Sequence, residues 1–152
     1  MKKRILISAD LSQFALSVVA YGCHMAKLLD AEATIIHSIP NVAAWKKFNS
    51  SVPPGLEKDI EEAARAKFAQ FIKEANAKEP GAADRVRDVV IVTGNPTETV
   101  ARYANEKNFD LIIVGYRGQS TIERLLIGST ASSIARYASG SVLIYRPGDC
   151  NI

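Results

Sequence analysis

Apolar residues along this chain follow two alternating rhythms. Short continuous runs, RILISA (4–9), ATIIHSI (33–39), VRDVVIV (86–92), FDLIIVG (109–115) and SVLIYR (141–146), predict five β-strands. Between the first two, Ala15, Val18, Val19, Gly22, Met25, Ala26 and Leu29 recur at helical spacing behind Ser12, the expected N-cap. A longer helix from Leu56 presents Ile60, Ala63, Ala64, Phe68, Phe71, Ile72 and Ala75 on one side, with Lys58, Glu61, Glu62, Arg65 and Lys73 as a solvated face. Asn95 and Pro96 start a third helix, reaching about Lys107, with Val100, Ala101 and Ala104 inward. Residues 40–55 contain three prolines and no period, which predicts an irregular loop.

Strands separated by helices, with almost no hairpin signals, predict the α/β class: one parallel sheet covered on both faces. FDLIIVG is apolar throughout, as a strand buried on both sides must be. One domain is expected over 1–147, followed by a short tail, 148–152.

Composition narrows the function classes. The chain has 152 residues, 47% hydrophobic and 23% charged, and a net charge of +3 with both signs interspersed. That field is too weak to argue for nucleic acid, and there is no basic stripe interleaved with aromatics. The apolar run behind Met1-Lys2-Lys3-Arg4 is broken by Asp10, and no stretch is long enough to span a membrane. A cytoplasmic location is expected. Cys23 and Cys150 show no metal-type spacing to His24 or His37, so neither zinc nor a structural disulfide is expected. Cys23 falls on an apolar helix face and reads as a small buried hydrophobe. His24 and His37 read as core or partly exposed histidines rather than catalytic ones.

The segment GYRGQSTIERLLIGST (115–130) carries the candidate chemistry. Gly115 ends the fourth strand, and Gly115-Tyr116-Arg117-Gly118 is a tight turn. Ser120 and Glu123 form a capping box for a short helix through Ile127. Gly128 breaks it, and Ser129 opens another helix with Ala131, Ile134, Ala135 and Ala138 inward. Glycine spacing alone leaves two readings open, ordinary turns or a phosphate cradle. The location favours the cradle. Parallel sheets bind ligands beyond strand C-termini where strand order reverses, and a helix start with free N–H groups and two hydroxyls suits an anion.

The run G-Y-R-G, nine residues, then G-S resembles the G-x2-G-x9-G-(S/T) signature of ATP-binding universal stress proteins. ILISADLS, ATIIHSIP, GNPTETVARYANEKNFDLIIVG and SGSVLIYR extend the resemblance along nearly the whole chain. It implies a Rossmann-like sheet of order 3-2-1-4-5, placing Asp10 and Gly115 on one crevice. It further implies that Gly115, Arg117, Gly118, Gly128, Ser129 and Thr130 surround the ribose and phosphates of ATP. Ala9, Asp10, Ile39 and Val114 would line the nucleoside end, with Ile39 against adenine. Asp10 would also orient a phosphate-bound Mg or Mn ion, although an acid favoured by a helix dipole is the plainer reading of that residue. Thr130 departs from the small aliphatic residue expected there.

There is no GxxxxGK[ST], no GxGxxG after the first strand and no evident general base. The expectation is nucleotide binding with little or no turnover. A vestigial site serving only protein contacts, or a slow ATPase, are the alternatives. The apolar edge Val142, Leu143, Ile144 and Tyr145 predicts a homodimer through strand five, again as in the family. Trp45 could close over the nucleotide or anchor a partner; the regulatory partner itself is unknown.

Overall fold

A computed structural model describes residues 1–116 and 127–146. Five strands, β1 (Arg4–Ser8), β2 (Glu32–Ile39), β3 (Val86–Thr93), β4 (Leu111–Gly115) and β5 (Ser141–Tyr145), form one all-parallel sheet in the order β3-β2-β1-β4-β5. The predicted order 3-2-1-4-5 is therefore observed. Helices α1 (Ala15–Leu28) and α3 (Leu56–Lys78) cover one face; α4 (Pro96–Glu106) and α5 (Ser129–Tyr137) cover the other.

Strand periodicity divides the core in two. Ile5, Ile7, Ile35 and Ile113 point towards α1 and α3 and meet Val19, Phe68 and Phe71. Leu6, Ile36, Ile112 and Val114 point the other way and meet Val100, Ala104, Ala131 and Ile134. Cys23 is fully buried in the first half, and burial pushes its thiol up to about 11, so it packs as a hydrophobe. Helix α1 lies close on the sheet: a Cβ at Gly22 would stand 2.5 Å from Ile7 Cδ1.

Helix ends explain where the chain turns. Asn95 Oδ1 accepts the Thr97 N–H at 3.0 Å and Pro96 takes the first helical position, as expected. Asp30 (φ 49°) and Asn108 (φ 54°) follow α1 and α4 in the left-handed region, where short polar side chains are tolerated.

Several local expectations need correction. Helix α1 begins at Ala15 with Phe14 at the cap position; Ser12 lies earlier, and its Oγ accepts the Phe14 N–H at 3.2 Å. Residues 40–55 are not wholly irregular, because Val42–Lys46 form a short helix, α2, capped by Asn41 Oδ1 accepting from Ala44 N–H at 3.1 Å. Leu29, Ala63 and Ala135, read as inward, are exposed. Leu29 is the C-cap residue past the end of α1, and Ala63 and Ala135 sit at the margin of their stripes beside buried Ala64 and Ile134. Among the described residues, no helix is long and apolar enough to cross a membrane.

Candidate functional site

The reversal point of the sheet lies between β1 and β4, the first leading to α1 and the second towards α5 on the opposite face. Ser8 pairs with Val114 in the last register step, so Ala9 and Asp10 leave β1 beside Gly115. The Ala9 N–H donates to Ile36 O at 3.2 Å, extending this edge towards β2. On the other flank, Tyr116 N–H donates to Tyr145 O at 2.7 Å and Gly128 N–H to Tyr116 O at 2.8 Å. These bonds bring the start of α5 back over the end of β4. Nearby, Gly94 N–H donates to Ile39 O at 2.9 Å, and Ser38 Oγ donates to Gly94 O at 2.6 Å. The turn entering α4 is thereby tied to the end of β2, and Gly94 meets its requirement at φ 133°.

The strand ends and helix starts enclose a cavity of about 440 Å³. Its mouth combines Ala9 and Asp10 after β1 with Val114 and Gly115 at the end of β4. Gly128, Ser129 and Thr130 supply the wall at the α5 N-terminus, and Ile39 stands at the end of β2. Thus every described residue of the predicted nucleotide set lines one cavity; Arg117 and Gly118, with the Ser120–Glu123 capping box, lie outside the described residues.

The walls differ in chemistry. One end is the helix start, where the first N–H groups have no intrahelical carbonyl and the dipole is positive. Two hydroxyl side chains, Ser129 and Thr130, stand on that turn. The α1/α3 side is apolar, with Val18, Ile60 and Ala64 around Ile39. Asp10 Oδ1 accepts the Ser12 N–H at 2.9 Å, which fixes the carboxylate at the entry to α1. Among the described residues there is no cluster of three His, Cys, Asp or Glu side chains able to hold a metal ion. A cation here would need ligand oxygens from elsewhere.

His37, read from the sequence as a core or partly exposed histidine, is buried, but its place on the cavity was not read. It lies on β2 facing α3, with its ring 5.2 Å from that of Phe68, and it lines the cavity while only 9% exposed. Its Nδ1 lies 2.9 Å from Ala9 O. A carbonyl can only accept, so Nδ1 carries the proton. Burial lowers the imidazole pKa below its ordinary 6.5, partly opposed by the Ala9 hydrogen bond and the Asp10 charge. The unfolded chain therefore takes up this proton before the folded one as pH falls. The contribution of His37 to stability is fully present above pH 6.5 and is lost as pH drops from there towards the lower folded value. The urea midpoint of the wild type should fall across that window and that of His37→Gln should fall less; parallel pH profiles would contradict this.

Helix α2 places Trp45, 48% exposed, outside the cavity lining. At the sheet edge, Val142 and Ile144 pack against the α4/α5 core and Leu143 and Tyr145 against the α1/α3 core. Tyr145 stacks on Tyr21 with ring centroids 4.2 Å apart. All four residues of this edge remain partly exposed.

Residues 1–146 match the family model for the Universal stress protein family. The chain belongs to that family. Universal stress protein YxiE of Bacillus subtilis is 26% identical over 150 residues, covering 96% of this chain and 100% of the relative. Universal stress protein MJ0577 of Methanocaldococcus jannaschii is 25% identical over 155 residues, covering 96% of both. The solved structure of MJ0577 shares this fold with a TM-score of 0.75 at 24% identity, covering 98% of this chain and 99% of that one. A universal stress protein solved in complex with cAMP has a TM-score of 0.64 at 24% identity, covering 97% and 98%.

Proposed function

We propose that this universal stress protein binds ATP in the cavity beyond β1 and β4 and acts as a nucleotide-dependent regulatory module. The observation that carries this reading is the convergence of Asp10, Gly115 and the Gly128–Thr130 turn on one cavity with an apolar end and an anion-suited end. In this arrangement the base lies against Ile39, between Ala9, Asp10 and Val114. The phosphates lie towards the α5 start, where N–H groups and hydroxyls donate to their oxygens. Arg117 and Gly118 would complete the phosphate side. The complex of a fold relative with cAMP agrees with an adenine nucleotide as the ligand class.

A Mg or Mn ion fits this site only as a companion of the nucleotide. Such ions are held by one or two carboxylates together with substrate phosphates, and Asp10 supplies one carboxylate at the cavity. Turnover is slow or absent in this reading. Asp10 Oδ1 accepts the Ser12 N–H, and the His37 ring is held between Ala9 O and the Phe68 ring.

The reading includes a cytoplasmic location and a homodimer in which β5, an edge of the sheet, pairs with the same strand of a second copy. Sedimentation of the wild type should give the mass of two chains, and a monomer at micromolar concentration would remove the dimer from the account. Lysine at Val142 or Leu143 is a poor substitute for that test, because both side chains also pack on the core.

Titration calorimetry tests the binding itself. ATP should saturate one site per chain, with free phosphate far weaker; absence of saturable ATP binding would defeat the proposal.

A further inference from the structure

The segment after β2 carries a surface that neither the core nor the cavity explains. Trp45 is 48% and Phe48 91% exposed, and neither lines the cavity. Single exposed aromatics are ordinary on a protein surface, but this pair is held in place. Buried Val42 seats α2 on the fold, and Asn41 caps it. The Phe48 and Asn49 N–H groups both donate to Trp45 O, at 3.0 and 2.9 Å. The Ser51 N–H donates to Asn49 Oδ1 at 2.9 Å, which closes the turn that follows. Trp45 and Phe48 are three residues apart, the spacing that places side chains on one side of a helical turn.

Lys46 and Lys47 stand between the two aromatics. Both are exposed, and among the described residues neither has an ion-pair partner. From Ala33 to Leu56 the chain carries no Asp or Glu, so no carboxylate of this segment offsets their charge. Two aromatics and two free cations on one tip fit a surface that is anionic at its face and apolar just beneath. A protein partner would have to offer Phe48 a pocket, whereas a bilayer takes a convex apolar tip between its headgroups without one. The indole, with an apolar body and one N–H, suits the headgroup level. Lysine stems lie along the acyl boundary while their ammonium groups stay at the lipid phosphates.

We propose that the Trp45–Phe48 tip docks this protein on the surface of an anionic lipid bilayer. The chain lies on the membrane and does not cross it there, since α2 has only five residues. Each lysine near such a surface raises the affinity about fivefold, so one tip gives a weak, reversible attachment. The contact uses no residue of the cavity lining and stands or falls apart from nucleotide binding.

Trp45 is the only tryptophan in the sequence, so its emission reports on the tip directly. The protein should float with vesicles of equimolar phosphatidylcholine and phosphatidylglycerol, and Trp45 emission should move to shorter wavelength. Vesicles of phosphatidylcholine alone should bind at least about tenfold more weakly, and about 0.5 M salt should release most of the protein from anionic vesicles. Lys46→Gln combined with Lys47→Gln should lower the affinity roughly 30-fold. Phe48→Ser should also bind more weakly and show a smaller emission shift. All three positions are exposed, so the variants should keep the circular dichroism of the wild type. Failure to float with an unmoved emission, equal binding to both vesicle types, or flotation that these variants leave unchanged would overturn the proposal. If vesicles have no effect, an emission shift with polyglutamate would assign the tip to an acidic protein partner. A shift on raising the protein concentration would then assign it to a second copy. Either result overturns the lipid surface as the occupant.

Discussion

Replacing Phe68 with alanine should cost about 3–5 kcal/mol, a large part of the stability of a domain this size. Phe68 is fully buried on α3, edge-on to Phe71 at 5.7 Å and 5.2 Å from the His37 ring. Alanine would open a cavity beneath the α1/α3 layer, from which Val18, Ile60 and Ala64 also line the cavity beyond β1 and β4. The surrounding strands are hydrogen-bonded on both sides and cannot collapse into the space. Thermal unfolding should fall on the order of 10 °C. A shift of only about a degree would show that Phe68 is not the keystone of this half of the core.

The second large effect falls on binding rather than folding. Gly128 has φ −59° and ψ 155°, a conformation open to any L-residue, so valine there does not strain the backbone. Its carbonyl still accepts from Ser132 N–H, and its N–H still donates to Tyr116 O. The branched side chain would, however, crowd the wall where phosphates are proposed to lie. Overpacking of this kind costs about 1–3 kcal/mol, or roughly 5- to 150-fold in ATP affinity. Gly128→Val should therefore keep its circular dichroism and lose most ATP binding; undiminished affinity would remove the α5 start from the site.

Most of this arrangement was legible in the sequence because strand and helix periods are long-range signals. The five apolar runs, the Asn95-Pro96 start and the glycines beyond β4 each state a requirement of the parallel sheet. Shorter features were less legible. Helix α2 spans only Val42–Lys46, too few residues to show a period, although Asn41 was a readable cap. Ser12 suited a cap, but Asp10 draws its N–H into a turn and delays the helix to Ala15. Ala63 and Ala135 show the limit of a stripe, since the sheet covers only the middle of a helix face, and Leu29 falls just past the end of α1.

The place of His37 on the cavity was not legible for a different reason. In β2 it alternates with residues of the buried core and is itself buried, as its position suggests. What exposes its edge is the end of the sheet, where Ala9 leaves β1 and takes the imidazole proton as a hydrogen bond. That contact joins residues 28 positions apart and has no local signature. The wall residues Val18, Ile60 and Pro96 likewise reach the cavity from three different helices.

The central claim, that this cavity holds ATP, is tested most directly by mass spectrometry of the small molecules released when freshly purified protein is denatured. ATP in near-stoichiometric amount is the predicted result. AMP or ADP in its place would contradict the absence of turnover, and release of no nucleotide would contradict the claim itself.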